Sequence, residues 1–162
     1  MDGRLRKTIP IAVTAVLAVA VAVAIYLLTE QPPDATSSES DFINGFLIGL
    51  FGGIPGLYDP DTGLWLGVNI RHWAHTAEFF LLGIFVALLA YFVFKPRLLR
   101  AGVVSFATCL ACSLFDQCHK LFVPGRHFDG FDLVMDALGY VIAILVVLLI
   151  AKLRGVHQAA CD

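Results

Sequence analysis

The sequence predicts an all-α integral membrane protein with four transmembrane helices. Hydrophobic residues make up 59% of the 162 residues, and the mean hydropathy is +0.82, whereas a soluble domain is about 45–50% apolar. Charged residues account for only 15% of the chain and are concentrated between apolar runs. A chain of this length has room for about four spanning helices of roughly 20 residues each. We therefore expect one membrane domain over residues 1–162.

The first predicted span covers residues 9–28, an uncharged run rich in Ala and Val that follows a basic N-terminal segment. A basic flank before an apolar run is also typical of a signal peptide, but signal-peptide cores have about 7–15 residues and end at a small-x-small cleavage site. This run ends instead at the Pro32–Pro33 pair, which prevents the helix from continuing. We therefore predict a transmembrane helix that is retained.

Residues 29–72 form an acidic connection rich in Ser, Thr, Pro and Gly, which we predict as an outer loop with a turn at residues 59–63. Within it, residues 42–54 are apolar but too few to cross a bilayer. They predict a short interfacial or re-entrant helix that begins after the capping-type Ser40–Asp41 pair. Glycines at every fourth position indicate either a close-packing helix face or a flexible segment lying on the membrane: Gly45, Gly49 and Gly53.

The other predicted spans cover residues 73–94, 98–119 and 132–151. In each, the run without ionisable groups is short; residues 79–94, for example, would measure about 24 Å as a helix, against roughly 30 Å of hydrocarbon. Each helix must therefore extend through ionisable residues, all at the same end of the bundle: His75 and Glu78, Asp116 and His119, and Asp132 and Asp136.

Basic residues predict the orientation. Eight of the eleven Lys and Arg residues fall in three segments that alternating helices place on one side: Arg4, Arg6 and Lys7; Lys95, Arg97 and Arg100; Lys152 and Arg154. By the positive-inside rule this side is the cytoplasm, so both termini are predicted to be cytoplasmic. Eleven of the thirteen acids and four of the five histidines then lie on the outer side of a bacterial plasma membrane.

The ionisable residues at the outer helix ends predict a functional site. Residues three or four apart share a helix face, and polar groups at membrane depth usually face the bundle interior. We therefore predict an outward-facing polar cup lined by seven residues: His75, Glu78, Asp116, His119, Arg126, Asp132 and Asp136.

Structural explanations exist for several of these residues. Asp132 and Asp136 would stabilise a helix N-terminus in any protein, His75 and Glu78 would satisfy each other as a buried pair, and Arg126 would serve as an interfacial anchor. Three nearby residues are expected to be solvated: His72, Lys120 and His127. The Cys109 and Cys112 pair lies inside a span, where it indicates small apolar packing and no disulfide framework.

The sequence FDQCHKLFVPGRHFDGFDLVMDALG, residues 115–139, resembles the VanZ-like family of small bacterial membrane proteins, named for a teicoplanin-resistance protein. The family pattern reads approximately Ser-Asp-Glu-x-x-Gln-x-Phe-x-Pro-x-Arg, followed by Asp-x-x-x-Asp and a small residue. Upstream residues match its Arg-Lys-x-Ala-His-x-x-Glu-Tyr/Phe element and its Ser-rich segment: Arg71, Ala74, His75 and Glu78, and Gln31, Ser37 and Ser40. The resemblance covers essentially the whole chain.

By position, the resemblance implies eleven recurrent residues: His75, Glu78, Asp116, His119, Phe122, Pro124, Gly125, Arg126, Asp132, Asp136 and Gly139. Four positions depart from the pattern. His72 replaces the usual basic residue, Phe115 replaces Ser, Gln117 replaces an acid, and Lys120 replaces Gln. The resemblance implies lowered susceptibility to teicoplanin-type glycopeptides in some members, without an agreed chemistry, and the departures leave the substrate open.

Two hypotheses of function follow. In the first, the cup binds a lipid-linked or anionic cell-wall component, with His75, Asp132 and Asp136 lining the site and Arg126 as the anion contact. In the second, the protein is an intramembrane hydrolase or transferase acting on an outer-leaflet lipid or lipid-linked wall precursor, with Glu78, Asp116 and His119 as acid and base.

Side chains of these types would also suit a divalent metal such as zinc or manganese: His75, Glu78, Asp116 and His119. A transporter is a third, weaker alternative, because four helices offer little room for alternating access. No nucleic-acid patch or nucleotide-binding loop is present in the sequence, so the expected partners are the lipid bilayer and an envelope component.

Overall fold

A computed structural model describes the backbone of residues 3–95 and 97–161, and side chains over residues 8–32, 36–38, 40–95 and 97–154. The elements follow one another as α1 (Gly3–Glu30), α2 (Pro33–Phe51), β1 (Tyr58–Asp59), β2 (Leu64–Trp65), α3 (Ile70–Phe94), α4 (Leu98–Lys120) and α5 (Gly130–Cys161). Four helical segments are long and apolar enough to cross a membrane: Thr8–Glu30, Ile70–Phe94, Leu98–Lys120 and Gly130–Arg154. The prediction of four transmembrane helices is confirmed.

Helices α3 and α5 form the centre of the bundle because glycine lets their backbones approach closely. A Cβ atom on Gly139 of α5 would overlap the carbonyl oxygen of Thr76 on α3. A Cβ on Gly83 of α3 would lie 2.9 Å from the Cα of Tyr140 on α5. Small residues at such crossings increase van der Waals contact between membrane helices. Fully buried Phe79 and Tyr140 pack beside this crossing, and α1 and α4 flank α3.

The connection between α1 and α3 differs in part from the prediction. Helix α2 has 19 residues and begins at Pro33, so the predicted start after Ser40–Asp41 is wrong; a proline is well tolerated in the first turn of a helix. A Cβ on any of three glycines would meet nothing within 4 Å: Gly45, Gly49 and Gly53. Within the described chain, these glycines therefore do not form a close-packing face.

Strands β1 and β2 form an antiparallel hairpin that confirms the turn predicted at residues 59–63. The Asp59 carboxylate accepts hydrogen bonds from Thr62 Oγ1 (2.7 Å) and from the Asp61 backbone N–H (3.0 Å). Both hydrogen bonds lower the pKa of the Asp59 carboxyl, and the bond from the Thr62 hydroxyl has the larger effect. The hairpin holds α2 in place, since Trp65 Nε1 donates to Asn44 Oδ1 (2.7 Å).

One face of α2 leaves large apolar side chains exposed. Phe42, Phe46 and Leu50 are four residues apart and 78%, 62% and 59% exposed, so they form one stripe along the helix. Location of this helix at a membrane surface stays a prediction, as does the orientation of the chain across the membrane. Side chains of the basic N-terminal residues Arg4, Arg6 and Lys7, which contribute to the predicted orientation, lie outside the described residues.

Candidate functional site

Lys120, in the last turn of α4, is the centre of a buried polar network. Its side chain is only 1% exposed, although it lies near the end of the bundle. The Lys120 ammonium donates to Asp132 Oδ2 (2.9 Å), and its Nζ atom lies 3.3 Å from His75 Nε2 and 3.5 Å from Asp116 Oδ2. The ammonium is therefore shared among α3, α4 and α5, and its charge compensates carboxylates on two helices.

His75 extends the network into the bundle. Its Nδ1 atom lies 3.5 Å from Asp136 Oδ1 and 3.8 Å from Glu78 Oε2. Asp136 Oδ2 accepts a hydrogen bond from Ser113 Oγ (2.7 Å). Within the described part of the chain, His75 Nδ1 and Asp136 Oδ1 are buried and have no partner with hydrogen-bond geometry. The imidazole thus lies between two carboxylates, Asp132 on its Nε2 side and Asp136 on its Nδ1 side.

His72 connects the network to the surface. Its Nδ1 atom lies 2.7 Å from Asp132 Oδ1, and its side chain is 22% exposed. The His72 and Phe131 rings form a T-shaped pair, with centroids 4.8 Å apart and an angle of 85° between their planes. One oxygen of Asp132 therefore contacts His72, and the other accepts a hydrogen bond from the Lys120 ammonium. A buried carboxylate requires such partners.

Asp116 faces two environments. Its Oδ2 atom belongs to the polar network through Lys120 and through Gln117 Nε2 (3.4 Å). Its Oδ1 atom accepts a hydrogen bond from Thr29 Oγ1 of α1 (2.5 Å). Asp116 also lines a cavity on the side of α1. This carboxylate is therefore the link between the buried polar network and that cavity.

The cavity lies between α1 and α4, with α3 as its floor. It has a volume of about 780 Å³ and continues into a second space of about 410 Å³ that shares several of its lining residues. We call the two together the α1/α4 groove. Nearly all of its lining is apolar, and the side chains common to both parts are Val19, Ala22, Leu82, Val104, Thr108 and Cys112.

The α1/α4 groove is open toward the surroundings of the bundle, because α1 and α4 contribute exposed side chains while most of the α3 floor is buried. On α1 the lining runs from Ala15 to Tyr26, a distance of about 16 Å at 1.5 Å per residue. One leaflet of a bilayer has roughly 15 Å of hydrocarbon, half of the usual thickness. Along α3 the lining runs from Phe79 to Phe94, and along α4 from Val104 to His119, about 22 Å each at the same rise. The groove is therefore at least as long as one leaflet is deep.

His119 lies at the polar end of the groove and turns toward α1. Its Nε2 atom lies 2.6 Å from Glu30 Oε1. The His119 ring packs against Tyr26, with centroids 4.7 Å apart, and stacks on Phe115, with centroids 6.0 Å apart. Together with Asp116, these side chains form an aromatic and acidic end to an otherwise apolar groove.

Arg126, in the loop between α4 and α5, caps the C-terminal end of α1. Its guanidinium donates to the backbone oxygens of Leu28 (3.1 Å) and Gln31 (3.0 and 3.1 Å) and to Thr36 Oγ1 (2.6 Å). Helix ends leave carbonyls without an intrahelical partner, and cations near a C-terminus are favourable to the helix dipole. Burial, and then the charge of Arg71, lower the pKa of Arg126, but a guanidinium stays protonated in proteins.

Comparison with known proteins identifies the family. The sequence model of the VanZ/LLP1 family matches residues 14–151, most of the chain. The chain belongs to the VanZ/LLP1 family. No curated protein and no solved structure gives a significant match. In this VanZ/LLP1 member, the matched region contains the four spans apart from their outermost turns, the whole polar network and the α1/α4 groove.

Five of the seven residues predicted to line the cup lie together around Lys120: His75, Glu78, Asp116, Asp132 and Asp136. The other two, His119 and Arg126, extend toward α1 and α2 instead. The expectation that Lys120 is solvated is wrong, because its side chain is buried and held by Asp132. His72 also contacts Asp132 but stays 22% exposed, and His127 is exposed. Lys120 lies four residues after Asp116 in the sequence. This spacing indicates that the two side chains share one helix face, and it could have predicted their contact.

Potential metal-ligand atoms lie close together at one place in the described structure. Among the described residues, one group of three has all such atoms within 4.8 Å: His72, Asp129 and Asp132. Asp132 already receives the Lys120 ammonium, whose positive charge disfavours a second cation nearby. The four residues predicted to hold a divalent metal do not form such a group, and His119 contacts Glu30 instead.

Sequence reasoning did not include several polar residues that the structure adds to the site. Thr29 and Glu30 of α1 contact Asp116 and His119, and Ser113 contacts Asp136. Buried Gln117 accepts a hydrogen bond from the Asp129 backbone N–H (3.3 Å) and so joins the loop to α4. Ser113 lies three residues before Asp116 on the same helix face, whereas nothing in the sequence indicates which way the end of α1 faces.

Proposed function

We propose that this VanZ/LLP1 protein binds a lipid of the bacterial cell envelope, with the chain of the lipid in the α1/α4 groove and its polar group beside Asp116 and His119. The observation that carries the proposal is the groove itself, which is apolar along its length and ends at a buried carboxylate. Ligand sites in proteins are typically apolar concavities with a few polar groups that orient the ligand. The groove is long enough to hold the hydrocarbon of one leaflet.

The same proposal includes an orientation. The end of the bundle opposite the polar network carries Lys95, Arg97, Arg100, Lys152 and Arg154. Lys and Arg are enriched on the cytoplasmic side of membrane proteins, so the polar network and the polar end of the groove would face the outside of the plasma membrane. The bound lipid would then come from the outer leaflet.

Photo-crosslinking tests the lipid proposal directly. The full chain in nanodiscs would be irradiated with a lipid that carries a diazirine in the middle of its chain, and the adducts would be mapped by mass spectrometry. We expect adducts on α1 and α4 residues that line the groove. Ala22→Trp and Ala111→Trp, which fill the groove from α1 and from α4, should reduce these adducts at least about fivefold.

Ala24→Trp is the matched control, because Ala24 is an exposed residue of α1 that does not line the groove. Residues two apart on a helix point to nearly opposite sides. This variant should keep the adducts of the wild-type chain. Uniform labelling of all lipid-facing helices, unchanged by the two groove-filling variants, would refute the proposal.

A second candidate function is a hydrolase or transferase that acts on the bound lipid. The contact that favours it is the 3.5 Å approach of Lys120 Nζ to Asp116 Oδ2 at the polar end of the groove, because a carboxylate beside an ammonium is suited to acid–base chemistry. Glu78 and His119 would be further acid or base groups. Incubation with an isotope-labelled lipid extract should then convert one lipid species, and Asp116→Ala should abolish the conversion. Unchanged lipid profiles would exclude this function.

Membership of the VanZ/LLP1 family supports the further proposal that the protein lowers susceptibility to teicoplanin-type glycopeptides. Fluorescent teicoplanin would be bound to a susceptible Gram-positive host that expresses the wild-type chain, His119→Ala or Arg126→Ala at equal membrane levels. We expect less surface binding with the wild-type chain, and full binding with both variants. Equal binding by all strains would separate the lipid-binding function from antibiotic resistance.

A further inference from the structure

The charge around the polar end of the α1/α4 groove indicates which lipids fit. Three ionisable side chains line the groove there, Tyr26, Asp116 and His119, and Glu30 contacts His119. Two of the four are carboxylates. Asp116 is 4% exposed and its hydrogen-bond donors come from the protein, whereas Glu30 is 44% exposed at the rim.

The cations closest to this end are already engaged. The Lys120 ammonium is buried and donates to Asp132, so a ligand could use it only by displacing that carboxylate. The Arg126 guanidinium donates to the last carbonyls of α1 and to Thr36. Among the described residues, no other Lys or Arg contacts Asp116, His119 or Glu30.

An anionic head group at this end would face Asp116 and Glu30 without a lysine or arginine of its own, and the His119 ring is already held by the Glu30 carboxylate. Like charges that meet in a binding site are strongly unfavourable, and a charge removed from water needs a partner. A hydroxyl or an ammonium group would instead donate to the carboxylates, which accept hydrogen bonds and donate none when ionised. The rings of Tyr26 and Phe115 beside His119 would also accommodate an ammonium through cation–π contact.

We infer that the lipid bound in the α1/α4 groove has a hydrogen-bond donor at its head, a hydroxyl or an ammonium group, rather than a phosphate. The inference rests on the proposed lipid-binding function and names the ligand class of the same site. It differs from the anionic component that sequence reasoning favours, because the structure assigns the Arg126 guanidinium to the end of α1.

Three probes with one chain and different heads test the inference: dodecanol, dodecylamine and dodecyl phosphate. Each would compete with the diazirine lipid for the full chain in phosphatidylcholine nanodiscs, at concentrations corrected for partitioning into the bilayer. We expect the alcohol and the amine to suppress groove adducts at concentrations at least about tenfold lower than the phosphate. The more potent of the two then identifies the head group as a hydroxyl or an ammonium.

Two variants test the role of the carboxylates. Asp116→Asn removes the charge but keeps a carbonyl oxygen as acceptor, so competition by the amine should weaken about tenfold and competition by the alcohol much less. Glu30→Gln makes the same change at the exposed rim and replaces Asp116→Asn in the test if that variant does not fold. Competition by the amine should again be weaker. Unchanged competition by the amine in a folded Asp116→Asn variant would contradict the assignment of the head group to this carboxylate.

The outcomes separate the inference from the function on which it rests. Competition by dodecyl phosphate equal to or stronger than that by the alcohol and the amine would overturn the head-group inference and leave the groove as a lipid site. Groove adducts that none of the three probes reduces, together with equal labelling of the Ala22→Trp and Ala24→Trp variants, would overturn the lipid-binding function itself.

Discussion

Lys120→Met should destabilise the bundle strongly, because the ammonium is the only lysine or arginine charge in contact with the buried carboxylates of the described polar network. The variant removes a 2.9 Å hydrogen bond to Asp132 and a 3.5 Å approach to Asp116. Loss of one partner from a buried ion pair costs about 3–5 kcal/mol. Asp132 retains His72 at 2.7 Å and Asp116 retains Thr29, so we expect a loss near the lower limit, about 3 kcal/mol.

The free energy of unfolding would be measured by detergent-induced unfolding of the purified chain in mixed micelles. Lys152→Met is the matched control, because Lys152 is exposed at the opposite end of the bundle, and it should change the free energy by less than about 0.5 kcal/mol. Asp132→Asn in the Lys120→Met background should recover part of the loss, since it removes the carboxylate that has lost its partner.

The double-mutant cycle decides between a network and independent contacts. Side chains that share a buried ion pair show a coupling energy of about 0.5–3 kcal/mol, and we expect a value in the upper half of this range for Lys120 and Asp132. A Lys120→Met loss no larger than that of Lys152→Met would refute the reasoning, and so would an additive cycle. The first result would mean that Lys120 is solvated, as the sequence alone suggests, and the second that Lys120 and Asp132 are not energetically coupled.

Three further predictions concern other parts of the molecule. Gly139→Ala should lose at least about 2 kcal/mol in the same unfolding assay through overpacking against α3, whereas Gly102→Ala, which meets only a flexible leucine terminus, should change stability by less than about 1 kcal/mol. Arg126→Ala should destabilise the end of α1 by about 1–3 kcal/mol and speed proteolysis between α1 and α2; Arg126→Lys should restore only part of the protection. Phe46→Asp should reduce quenching of a probe on α2 by lipid-soluble quenchers, whereas Phe46→Leu should not.

The sequence was sufficient to predict the four spans, because the first is an apolar run of spanning length and the other three reach that length once they extend through the ionisable residues at one end. It also identified most of the carboxylates and histidines of the polar network, since ionisable residues within spanning distance must pair inside the bundle. Helix periodicity placed Asp116 and His119 one turn apart, but their side chains meet different partners, Thr29 and Glu30 of α1. Those partners depend on the rotation of α1, which a helix apolar on all sides does not reveal.

Lys120 shows a second limit of the sequence. A lysine at a helix end near the membrane boundary usually extends its ammonium to water, and this rule predicts an exposed side chain. Lys120 is buried instead because α3 and α5 pack closely through Gly83 and Gly139, with Asp132 held opposite the last turn of α4.

The start of α2 was not predicted, because residues 33–41 have little apolar character of their own. Arg126 reaches across to Thr36 in this helix and stabilises its first turns.

Asp116 makes the polar network and the α1/α4 groove interdependent. One of its oxygens accepts from Thr29 at the groove, and the other faces Lys120 and Gln117. A ligand that donates to this carboxylate must share it with Thr29 and Lys120, so occupation of the groove and the charge balance of the network are linked. Binding that engages Asp116 should therefore change the stability contributed by Lys120, and Lys120 variants should change lipid affinity although Lys120 does not line the groove. By reciprocity, the effect of the lipid on the Lys120 contribution and the effect of Lys120 on lipid affinity must be equal in free energy. An apolar groove beside an unrelated ion pair would produce neither effect.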